Sequence, residues 1–98
     1  MVKDKYMHNP AHPGVVLREW IPEDMTVGVA AQALHVSRVT LSKVLNGSGN
    51  ITANLALRLS VWLGTTPEVW LDMQTQFDLW QAKQEVRPVI TPLQRSAD

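Results

Sequence analysis

The chain has 98 residues, 45% hydrophobic and 18% charged, with no cysteine and a formal net charge of zero. That length holds one domain with its own core, and the missing cysteines exclude a disulfide scaffold, a thiolate nucleophile and a thiolate metal site. The polar start from Met1 to His12 is not a signal peptide, and no run approaches the ~20 apolar residues of a membrane span, so a cytoplasmic chain with no membrane partner is expected.

Residues 1–11 show no periodicity and are expected to form a flexible arm. A first helix is expected from His12-Pro13, because proline suits the first helical position. Val16, Leu17, Trp20 and Ile21 form its apolar face, and Pro22 ends it. Thr26 is the expected N-cap of a second helix. Gly28 inside that helix costs about 1 kcal/mol relative to alanine, and close packing is the one reason the sequence offers for it.

The stretch Thr26–Gly47 predicts two short helices joined by a tight turn. Ala31 is small where a second helix would cross, and Leu34 and Val36 bracket the turn. Ser37 caps the next helix, and Leu41, Val44 and Leu45 recur at the spacing of a buried face. Arg38, Thr40, Ser42 and Lys43 lie opposite. Asn46-Gly47 is the expected stop, since both residues tolerate a left-handed backbone. A helix with a buried back and a cationic front, held by a preceding crossing helix, has the geometry of a DNA-binding helix-turn-helix.

The zero net charge is unevenly spread. No Asp or Glu occurs between Met25 and Pro67, while Arg38, Lys43 and Arg58 lie inside that span. Phosphate binding depends on local patch charge, so the middle of the chain suits nucleic acid better than the total suggests.

A fourth helix is expected after Thr52, with Leu55, Leu59, Trp62 and Leu63 on one face and Gly64 at its end. Thr66-Pro67-Glu68 predicts the start of a fifth: a cap, a proline at the first position and an acid at the positive end of the dipole. It is expected to run from Pro67 to about Val86, carrying Trp70, Met73, Phe77 and Trp80 at three- to four-residue spacing. The prediction is an all-α chain of five helices. One helix-turn-helix domain spans residues 12–86, with the helix-turn-helix itself at about 26–47, and an extended tail covers residues 87–98.

These residues resemble a known family. His12-Pro13-Gly14 followed by Val16-Leu17-Arg18-Glu19 is similar to the HPGxxLxE opening of HigA-type antitoxins, the VapI group of the Xre-like helix-turn-helix family. Gly64-Thr65-Thr66-Pro67, then Trp70-Leu71, Gln74 and Asp78-Leu79, resembles that group's signature after the helix-turn-helix. The resemblance covers residues 12–83 and implies a phage-repressor-like fold with a long C-terminal helix. It implies that Arg38, Val39, Ser42 and Lys43 face base edges and that Ser37, Thr40 and Asn46 lie near phosphates. The wider family opens the second helix with a glutamine that touches DNA; Val27 stands there here, and His35 stands at the glycine of the turn.

Other residues have plainer explanations. Trp62, Trp70, Phe77 and Trp80 suit core packing, with Trp70, Phe77 and Trp80 as candidates for a dimer or partner interface and Trp80 as its exposed anchor. Thr52 could cap its helix or aim backbone N–H groups at a phosphate. Arg58 is expected to be a surface cation or the ion-pair partner of an acid. The three histidines, His8, His12 and His35, form no metal motif, and no nucleophile or phosphate-loop pattern occurs. No catalytic activity and no cofactor are expected.

The resemblance implies a repressor that binds a palindromic operator in double-stranded DNA as a homodimer and neutralises a small, basic, RelE-like ribonuclease toxin by masking it. Two alternatives stand beside it at this point. One is a regulator with no toxin partner; the other is a protein-interaction module that no longer binds DNA.

Overall fold

The computed structural model describes residues 9–94, so residues 1–8 of the expected arm and residues 95–98 of the expected tail lie outside the described residues. Five helices follow in chain order: α1 Pro13–Trp20, α2 Val27–Leu34, α3 Arg38–Leu45, α4 Ala53–Leu63 and α5 Pro67–Lys83. No strand occurs among the described residues, as the sequence predicts.

Side-chain caps start four of the helices. His12 Nδ1 accepts the Gly14 N–H, and the hydroxyls of Thr26, Ser37 and Thr52 accept from Val29, Thr40 and Leu55. Such a cap is worth about 1 kcal/mol, a large share of the stability of an eight-residue helix. Thr66 departs from expectation. It takes the N-cap position before Pro67, yet its side chain makes no cap hydrogen bond. Neighbouring Thr65 is the hydroxyl in use, and it accepts the Trp70 indole N–H at 2.8 Å.

The helix ends correct the sequence reading in two places. Asn46 keeps a right-handed backbone (φ −87°), and Gly47 alone (φ +82°) makes the left-handed turn after α3. The last helix stops at Lys83, short of Val86. Every described residue from Gln81 onward is exposed, so a longer helix would bury nothing more. The chain closes with Gln84 and Glu85 N–H groups donating to the Gln81 and Ala82 carbonyls, and Arg87 adds a donor to Ala82 at 2.9 Å.

One core joins all five helices. Leu17 of α1, Ala30, Ala31 and Leu34 of α2, and Leu41, Val44 and Leu45 of α3 meet Leu55, Ala56 and Leu59 of α4 and Trp70 of α5. Fully burying a side chain such as Leu41 stabilises the fold by about 1.5–3 kcal/mol. The α1 helix packs on α3 and α5, and α2 packs on α3 and α4. This places α3 across the front of the domain with its back held from three sides. Gly14 shows how close that packing is. A Cβ there would lie 1.9 Å from the Val44 carbonyl oxygen, so only glycine lets α1 meet the end of α3.

Candidate nucleic-acid interface

The α2–α3 unit takes its shape from a buried pair and an unusual turn. Ala31 is 2% exposed, which permits the close crossing that its size predicts. His35 then adopts φ 58°, ψ 41°, a left-handed conformation rare for a residue with a Cβ. Val36 N–H donates to the Ala31 carbonyl at 3.0 Å and His35 N–H to Gln32 at 3.2 Å. Arg58 of α4 secures this turn from below. Its Nη1 donates to the Leu34 and His35 carbonyls, both at 3.0 Å, and its Nε to Asn54 Oδ1 at 2.7 Å. Arg58 is therefore no ion-pair partner of an acid: its charge serves the negative end of α2.

Along α3, Leu41, Val44 and Leu45 are buried, and the sequence-predicted site residues lie on the other side. Arg38, Val39, Thr40 and Lys43 are exposed, Ser42 is half-buried, and Ser37 and Asn46 sit exposed at the two ends. Val39 is 63% exposed between two cations, an apolar group that the core does not use. Ser37 Oγ donates to Thr40 Oγ1 at 2.8 Å and accepts the Thr40 N–H at 3.0 Å. Among the described residues no hydrogen bond engages the Arg38 or Lys43 side chain. The face therefore offers two unoccupied cations, a hydroxyl pair and a branched apolar side chain over two turns of helix. Cations and hydroxyls suit phosphates and base edges, and a valine suits a thymine methyl.

Three expectations change in position or role. Val27, at the place of a DNA-touching glutamine in the wider family, is half-buried and packs against the core. Thr52 spends its hydroxyl on a plain helix cap, accepting from Leu55 at 3.2 Å. Gly28 has no close-packing reason in this chain, since a Cβ there would meet only the Thr26 hydroxyl at 3.9 Å.

The aromatic residues of α5 separate into core and surface. Trp70 is 1% exposed and contacts the Trp20 ring edge-on at 6.2 Å between centroids. It offers nothing to a partner, which corrects its place among the interface candidates. Phe77 and Trp80 are half-buried; Phe77 sets its ring edge-on to His12 at 4.8 Å, and Trp80 leans on Phe77 at 6.4 Å. The residue that sequence reasoning passed over is Arg18. From α1 it reaches the end of α3, donating to the Leu45 carbonyl at 3.2 Å and to Asn46 Oδ1 at 3.3 Å. A contact across 27 residues leaves no periodic trace in the sequence.

No family model matches the chain. It is 35% identical over 102 aligned residues to antitoxin HigA-1 of Vibrio cholerae, a match that takes in 95% of this chain and 96% of that one. It is 38% identical over 90 residues to virulence-associated protein I of Dichelobacter nodosus, covering 88% of this chain and 83% of that one. Among solved structures, the antitoxin GraA in complex with its operator is similar at a TM-score of 0.72 and 38% identity, over 86% of this chain and 95% of that one.

Proposed function

The chain belongs to the HigA-type group of helix-turn-helix proteins, and from that premise we propose that it binds its own upstream operator DNA through α3 and represses transcription there. The observation that carries this reading is the front of α3. Arg38 and Lys43 stand exposed beside Val39 while the back of the same helix is fixed in the core. A rigid helix with free cations is what a major groove accepts. In this proposal Arg38, Val39, Ser42 and Lys43 face bases, and Ser37, Thr40 and Asn46 face phosphates. Bound GraA, a relative whose operator complex is known, supports the same mode.

A palindromic operator calls for a homodimer, whose two recognition helices must enter grooves about 34 Å apart. Phe77 and Trp80 on α5 are the residues we assign to a dimer or partner surface. The antitoxin relatives support a second role, masking a small basic ribonuclease toxin. Neither role requires chemistry by this chain, and both suit a cytoplasmic protein.

Footprinting on the DNA upstream of the chain's own reading frame tests the proposal. The expected result is one protected site with two-fold symmetry, lost in the Arg38→Ala, Lys43→Ala double variant. Co-expression with the product of the adjacent reading frame tests the second role: the complex is expected to co-purify and to suppress RNA cleavage.

A further inference from the structure

Asn46 stands at the C-terminal end of α3, where the helix leaves its last four carbonyls without helical partners. Three of these, on Ser42, Lys43 and Val44, accept from backbone N–H groups of residues 46 to 49. The fourth, on Leu45, accepts from Arg18. The same Nη2 also reaches the Asn46 side chain at 3.3 Å. A guanidinium has donors only, so the amide atom facing it has to be oxygen. The amide nitrogen then points away from Arg18, and among the described residues no group accepts its hydrogens. Asn46 is exposed there.

A helix C-terminus carries partial negative charge, which by itself repels phosphate. Arg18 offsets it with a full positive charge at the Leu45 carbonyl. One residue on α1 thus turns an unfavourable helix end into a donor site beside Lys43. We infer that Arg18 is a positioning residue of the DNA-binding face: it fixes the Asn46 amide with both Nδ2 hydrogens outward, as donors to a phosphate oxygen. This inference rests on the DNA-binding proposal above.

Fluorescence anisotropy with a duplex of the chain's own upstream DNA tests it, with Tm measured on each variant. Arg18→Ala is expected to weaken binding about tenfold, the size of one lost charge-assisted hydrogen bond. Arg18→Lys keeps a donor and a charge and is expected to recover most of that loss. Arg18→Ala, Asn46→Ala is expected to bind no more weakly than the weaker single variant, because the two residues act as one unit. Asn46→Asp separates positioning from folding. Its carboxylate keeps the Arg18 contact, so Tm holds, while an anion replaces the outward donor and binding falls roughly a hundredfold. Asn46→Asp binding like the parent, or independent additive losses in the double variant, would overturn the inference while leaving the DNA-binding reading intact. A parent protein that binds no duplex selectively would overturn both.

Discussion

Gln74 of α5 accepts the buried backbone N–H of Ile51 at 2.8 Å, across 23 residues of chain. Its Nε2 donates to Asn50 Oδ1 at 3.3 Å and to Asp78 Oδ1 at 3.0 Å. The loop that follows the recognition helix is thereby fastened to the long C-terminal helix. Gln74 is 5% exposed, and its bond to Ile51 serves a backbone donor that water cannot reach. Gln74→Leu keeps the volume and removes the acceptor. The expected cost is about 2 kcal/mol, a fall in Tm of roughly 10 °C by calorimetry.

Two glycines in helices should respond to alanine in opposite directions. At Gly14 the new methyl would meet the Val44 carbonyl at 1.9 Å, so α1 and α3 must part. Gly14→Ala is expected to destabilise by about 2–3 kcal/mol, as overpacking does. At Gly28 the space is open apart from the Thr26 hydroxyl at 3.9 Å. Gly28→Ala should stabilise by about 0.5 kcal/mol through helix propensity and a stiffer unfolded chain. Urea unfolding of both variants checks the pair of signs.

Arg58→Ala removes the donors that close the α2–α3 turn at Leu34 and His35. Because Arg58 is half-buried, the expected loss is modest, about 1–2 kcal/mol. Amide hydrogen exchange should rise at His35 and Val36 before the rest of the domain. Arg58→Lys, with a point charge in place of a planar fork, should restore only part of the protection.

Removal of residues 86–98 should leave the Tm of the isolated chain within about 1 °C of the parent, as for substitutions away from packed features. Val86 is fully exposed, and Val89, Ile90 and Leu93 are 97%, 78% and 83% exposed, so the body of the domain loses no core.

Much of this architecture was legible because its signals are local. Ser37, Thr26 and Thr52 act as caps at the positions their sequence context predicts, and Leu41, Val44 and Leu45 repeat at helical spacing. The front of α3 follows from the same periodicity. What escaped prediction depends on distant partners. Arg58 and Arg18 read as ordinary surface cations until the fold brings carbonyls 23 to 27 residues away against them. Trp70 and Trp80 look alike on a helical stripe, and only the position of α1 beneath α5 buries the first and leaves the second half-exposed. The end of α5 was overrun because apolar Val86 continues the pattern although no neighbour receives it.

The central claim is that the front of α3 binds DNA by sequence. Its most direct test is the affinity of the parent chain, Arg38→Ala and Lys43→Ala for the upstream duplex and for a scrambled duplex across a salt series. The account predicts selective binding that weakens with salt. Lys43→Ala should reduce the salt slope by about one unit, and Arg38→Ala should cost about 1–3 kcal/mol and relax selectivity at its base contact. Equal affinity for both duplexes, or a slope and selectivity that neither substitution moves, would contradict it.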